Sequence, residues 1–208
     1  MIVMAEVIIV GTSHISKQAV RKVKNTIQKE KPDCVAIELC PMRFYSMKIG
    51  KKPRRDLRYG LFVYTISLLQ ELLSKKTGIF PGKEMMTAYE EGKNIGAKVY
   101  LIDDSISITV KKIQKIPFYR KISMVFRLFW GSLTEGRFKL SLNKVPSDKD
   151  TKKLMSIFKK NAPEFYKILV SDRNKYMAKW IEELSKKYKK IVVVVGIGHK
   201  EGLEKLIK

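Results

Sequence analysis

Val7-Ile8-Ile9-Val10-Gly11-Thr12-Ser13-His14 near the start and Ile191-Val192-Val193-Val194-Val195-Gly196-Ile197-Gly198-His199 near the end carry one pattern twice. Each is a β-branched apolar run, then a glycine turn, then a histidine, and these are the only two histidines in the chain. Short apolar runs closed by glycine read as strands buried on both faces, as in parallel sheets. In an open α/β sheet, groups just past the carboxyl ends of parallel strands collect in one crevice, where ligands bind. A single histidine in a turn more often serves only that turn. Two in equivalent settings favour a shared site.

Working outward from the first turn, Ser16 is placed to cap a helix running through Lys29, with Ala19, Val20, Val23 and Ile27 as its apolar stripe. Pro32-Asp33 ends that helix, and Cys34 to Leu39 reads as a second buried strand parallel to the first. Glu38 stands at its carboxyl end. A carboxylate in an otherwise apolar strand costs several kcal/mol unless it is paired, protonated or bound to metal. Arg43 is the nearest cation in sequence, either as a plain ion-pair partner or as the group that orients Glu38.

The basic stretch Pro41 to Arg55 leads into an expected helix from about Asp56 to Lys76, and Phe80-Pro81-Gly82 makes a turn. Lys83 to Asn94 reads as a helix containing Glu84, closed by Gly96, and Lys98 to Ile102 reads as a third strand. Asp103 and Asp104 follow that strand, either as helix caps or facing the crevice. Residues from about 105 to 188 then form a helical insertion before the last strand, long for a simple crossover and suited to a lid or a homodimer surface. Within it, Pro117 to Leu133 interleaves aromatic and basic residues, a pattern of membrane-surface helices or nucleic-acid platforms, though such a face more often packs on its own domain. Asp172-Arg173-Asn174 lies in the last long helix; these residues either face solvent or bring Arg173 into the crevice against an anion. The expected architecture is α/β, a mostly parallel central sheet flanked by helices, as one domain over residues 1–208.

Composition limits the partners. Forty-three Lys plus Arg against 20 Asp plus Glu gives a formal charge of +23, which suits an anionic membrane, nucleic acid or an acidic substrate. The lysines are spread over nearly every segment, as in hyperthermophile proteomes, so nucleic acid is not the expected partner. Cys34 and Cys40 would share a face of a regular strand but lie roughly 20 Å apart, so no disulfide is expected and a reducing compartment is. Met1 to Val10 lacks the basic start of a signal peptide, and no apolar stretch reaches the about 20 residues of a membrane span. The expected location is cytoplasmic or peripheral to a membrane.

The chemistry follows from the strand ends. The Gly196 turn is not a dinucleotide site, because no second strand with an acidic ribose partner follows Gly202. Neither glycine turn ends in the Lys-Ser/Thr of a phosphate loop. Two histidines and a carboxylate are the ligand types of an open catalytic metal site whose bound water is acidified. Glu84 or Asp104 could accept the proton from that water.

Three blocks, Gly11-Thr-Ser-His14-Ile-Ser, Val35-Ala-Ile-Glu38-Leu-Cys-Pro-Met-Arg43-Phe and Gly196-Ile-Gly-His199-Lys-Glu-Gly202, resemble the signatures of the TraB/PrgY group, relatives of the Tiki proteases. Gly82-Lys-Glu84 and Asp172-Arg173-Asn174 through Ala178 resemble its intermediate blocks, with Cys40, Asp104 and Asp172 as departures. The resemblance implies an α/β domain and, by analogy with the Tiki branch, a divalent-metal-dependent peptidase; for TraB-type members it implies a link to peptide pheromone shutdown. Together these readings set the expectations. The metal is Mn, Co or Zn, held by His14, Glu38 and His199, with Arg43, Glu84, Arg173 and Asn174 completing the site and a peptide or protein as substrate. The alternative is a non-catalytic peptide-binding or membrane-surface protein that uses its basic aromatic face.

Overall fold

The structure is a computed structural model that describes residues 5–12, 17–50, 82–134 and 148–207. Ser16, His14 and the helix expected from Asp56 lie outside the described residues. The described elements are β1 (Glu6–Thr12), α1 (Lys17–Glu30), β2 (Cys34–Ile37), α2 (Pro41–Lys48), α3 (Lys83–Asn94) and β3 (Lys98–Leu101). They continue with α4 (Ile106–Gln114), α5 (Phe118–Thr134), α6 (Asp148–Asn161), α7 (Pro163–Tyr166), a π-helical turn (Lys167–Ser171), α8 (Asp172–Ser185), β4 (Lys190–Gly196) and α9 (Ile197–Leu206).

The four strands form one parallel sheet in the order β1-β4-β2-β3, which makes this an α/β fold. The last strand enters between the first two, so β1 and β2 are parallel but not neighbours. The reason lies in β4 itself, whose residues Ile191 to Val195 are wholly buried. A strand with apolar side chains on both faces is most stable at the sheet centre, where full burial of each Val or Ile contributes roughly 1.5–3 kcal/mol.

Alternation along the strands builds two cores. Val192 and Val194 join Val35 and Ile37 against Val23 and Ile27 of α1 and Met85 and Ala88 of α3. Ile191, Val193 and Val195 join Cys34 and Ala36 against Met177, Ile181 and Leu184 of α8 and Leu203 of α9. Gly92 lets α3 close on the sheet, since a Cβ there would lie 3.0 Å from Val99 and 3.1 Å from Val35. A third cluster of Ile113, Ile116, Met124, Ala162 and Phe165 holds the helices between β3 and β4 together.

Three local expectations change. β2 ends at Ile37, and Cys40 is the residue capping α2, with Pro41 in its first turn, so the two cysteines do not share a strand face. Both are buried free thiols. The last long helix of the insertion is not continuous: a π-helical turn at Lys167–Ser171 precedes Asp172–Ser185. The aromatic face of α5 does not pack on the domain: Phe118, Tyr119 and Phe126 are exposed, while Met124 is buried. Among the described residues no helix is long and apolar enough to cross a membrane.

Candidate functional site

Register brings three strand ends level. Thr12 pairs with Gly196 and Ile37 with Val194, so the carboxyl ends of β1, β4 and β2 open onto one edge of the sheet. The Thr12 hydroxyl donates to the Val195 carbonyl at 3.1 Å and fastens the first turn to the last. Glu38 continues the ladder one residue past β2, its N–H donating to the Val194 carbonyl at 2.9 Å.

Glu38 is 4% exposed, and described residues hold both its oxygens. Oε2 accepts the Gly196 N–H at 2.6 Å, and Oε1 accepts from Nη2 of Arg173. The carboxylate therefore bridges β2, the start of α9 and the start of α8. Burial alone would expel it; donors on both oxygens make it tolerable.

Arg173 reaches the crevice from the first turn of α8. Nε and Nη2 fork onto the two oxygens of Asp103, at 2.9 and 2.8 Å, directly past the end of β3. Nη1 donates to the Leu169 carbonyl at 3.3 Å, inside the π-helical turn. Single π-type turns of this kind are often found at functional sites. Burial works against the charge of Arg173, but the Glu38 and Asp103 carboxylates outweigh it and hold its pKa above that of an ordinary arginine. The guanidinium is a fixed cation.

His199 occupies the first turn of α9 and is 7% exposed. Nδ1 lies 2.7 Å from Oδ1 of buried Asn174. With the amide oxygen as acceptor, Nδ1 carries the proton and Nε2 presents its lone pair. That Nε2 faces Oε1 of Glu38 at 3.3 Å and Nη1 of Arg173 at 3.2 Å. Gly202, one turn along α9, makes the arrangement possible, because a Cβ there would lie 2.1 Å from Nδ2 of Asn174.

Glu38, Arg173, Asn174 and His199 thus converge. Arg43 does not join Glu38: it is half-buried in the first turn of α2 and makes no ion pair among the described residues. Arg173 takes the role that sequence proximity gave to Arg43. Glu84 is buried in the first turn of α3, next to Gly82, whose φ of 96° requires glycine. Asp104 is half-buried, and its carboxylate accepts the N–H of the adjacent Ser105 at 2.7 Å, just ahead of α4. Asp103 is the residue that sequence reasoning left undecided; its signal was its place directly after a strand.

Oε1 of Glu38 and Nε2 of His199 are the two donors that face each other in the described cluster. Two donors 3.3 Å apart suit one metal ion, since bonds of about 2.0–2.1 Å to each would subtend close to a tetrahedral angle. Nε2 has one lone pair, so a cation must displace Nη1 of Arg173 from it. Among the described residues no three His, Cys, Asp or Glu side chains form a metal-holding group, and His14 lies outside them. The donors present fit a metal as a partial ligand set.

A profile of the TraB/PrgY/gumN family matches residues 4–208. The chain belongs to that family. This TraB-family chain is 32% identical over 216 residues to a protein of Methanocaldococcus jannaschii described as uncharacterized, a match covering 98% of this chain and 53% of that protein. It is 24% identical over 238 residues to the human TraB domain-containing protein, covering 97% of this chain and 62% of the relative, and the mouse protein of the same name matches equally. The chain therefore spans little more than half the length of the curated relatives it matches.

Proposed function

We propose that this protein is a divalent-metal-dependent hydrolase acting on peptides. The observation that carries the proposal is the facing of Glu38 Oε1 and His199 Nε2 at 3.3 Å, with the far ring nitrogen of His199 held by Asn174. An imidazole fixed through one nitrogen and set beside a carboxylate through the other is the common form of a metal-ligand pair with its outer-shell partner. Glu38 and His199 would hold the cation, with His14 as the expected third ligand and Mn, Co or Zn as ions these donors accept. A bound divalent cation supplies a water acidified toward neutral pH and polarises a carbonyl oxygen.

The chain's own groups supply the rest. Arg173, locked by Asp103, keeps Glu38 aimed into the crevice and gives its wall a permanent positive charge. Asn174 fixes the tautomer of His199. Glu84 is the candidate to accept the proton, and Arg43, without an ion-pair partner among the described residues, is free to take a substrate carboxylate. The choice of peptides as substrate rests on the family relationship.

The test is elemental analysis of untagged protein, together with thermal shifts on adding Mn, Co or Zn to the wild type, Glu38→Gln and His199→Ala. Bound metal and a shift lost in both variants are expected, with chelator-sensitive cleavage of a peptide mixture. Metal-free protein whose melting is indifferent to all three ions would overturn the proposal.

A further inference from the structure

Helix α5 displays an apolar face outward. Phe118, Ile122, Phe126 and Trp130 recur every fourth residue, and they are 75%, 55%, 62% and 57% exposed; Phe126 and Trp130 stack with ring centres 6.0 Å apart. Tyr119 and Val125 widen the stripe, while Met124 alone among the described side chains of α5 is buried, in the cluster that ties the helix down. The helix is thus amphipathic in the reverse of the usual sense.

Its flanks are cationic. No Asp or Glu occurs from residue 106 to 134, whereas Lys111, Lys112, Lys115, Arg120, Lys121 and Arg127 do. Lys112 pairs with Asp172 and Arg120 with Glu164. The other four have no acidic partner among the described residues. A solvated aromatic and aliphatic stripe bordered by uncompensated cations matches the boundary between acyl chains and anionic headgroups.

We propose that α5 docks in the plane of an anionic lipid bilayer, with Phe118, Ile122, Phe126 and Trp130 at the acyl boundary and Lys121 and Arg127 on headgroup phosphates. A second copy of the chain suits this face less well, because a two-fold contact would set those cations against their own images. Nucleic acid suits it less well too, because Ile122 and Val125 offer nothing to a base. The inference stands apart from the strand-end site and does not depend on its chemistry.

The experiment is cosedimentation of the full chain with phosphatidylcholine vesicles, with and without phosphatidylglycerol, at low and high salt. Binding to the anionic vesicles alone is expected, weakening as salt rises, and falling on the order of tenfold in Lys121→Glu with Arg127→Glu. Phe126→Ser should remove it with the melting temperature unchanged. Trp130 and Trp180 are the two tryptophans, so Trp180→Phe leaves Trp130 as the reporter, and its emission should shift to the blue on anionic vesicles. Absence of vesicle binding, binding without a Trp130 shift, or self-association lost in Phe126→Ser with no lipid binding would each overturn the proposal.

Discussion

Nδ1 of His199 lies 2.7 Å from Oδ1 of Asn174, and that one contact decides which nitrogen of the imidazole faces the crevice. Asn174→Leu should cost about 1–3 kcal/mol in urea denaturation, because it strands a buried ring N–H. It should also weaken metal-induced thermal shifts, while Asn174→Asp, which keeps an acceptor in place, should retain them. Equal shifts in Asn174→Leu and wild type would separate His199 from metal binding.

Gly202 owes its identity to Asn174 rather than to backbone conformation. Gly202→Ala places a methyl group 2.1 Å from Nδ2 and should lower stability by about 1–3 kcal/mol. At Gly198 the nearest atom is Sδ of Met155 at 3.2 Å, the flexible end of a side chain, and Gly198→Ala should be milder. Thermal denaturation of the two variants side by side gives the comparison. A reversed order would refute this packing.

Asp103 carries the fork that positions Arg173. Its side chain is 4% exposed and that of Arg173 17%, so Asp103→Asn leaves a largely buried cation with Glu38 as its remaining carboxylate. A loss near the lower end of the roughly 3–5 kcal/mol range for a broken buried pair is expected, measured by chemical denaturation. The larger loss belongs to Arg173→Leu, which leaves the Glu38 and Asp103 carboxylates facing each other. Wild-type stability in either variant would show that the network does not hold the crevice.

Cys34 predicts an alkaline effect. Burial, with a smaller contribution from Asp33, pushes its thiol up to about 12 from an ordinary value of 9.0. Between those two pH values the unfolded chain has released the proton and the folded chain has kept it, so unfolding releases a proton and stability falls as pH rises. The wild type should lose stability faster than Cys34→Ala from pH 9 upward, read as denaturation midpoints along a pH series. Parallel curves would mean that the thiol titrates alike in both states.

The helix Lys83–Asn94 and the apolar run at Ile191 to Val195 were legible because each pattern has one physical solution: a stripe with helical spacing, and a run too apolar for any place but the sheet interior. Glu38 was legible for the opposite reason, as a charge where burial is costly. The π-helical turn was not legible, because nothing in the apolar spacing of Pro163 to Lys187 marks it. Nor was the outward face of α5, since periodicity gives a helix two faces without saying which one the protein covers.

The sequence by itself determined the parallel α/β class, the placing of Glu38 and Gly196 at strand ends, and the apolar stripe of α1, because burial free energy acts locally on spacing and residue type. Only the tertiary structure decided which cation meets Glu38. Arg43 lies five residues away along the chain, Arg173 lies 135 away, and Arg173 prevails. Insertion of β4 between β1 and β2 sets the start of α8 over the end of β2, and a guanidinium there satisfies two buried carboxylates at once. Near neighbours in sequence leave α2 on its own course; the sheet order makes the distant ones meet.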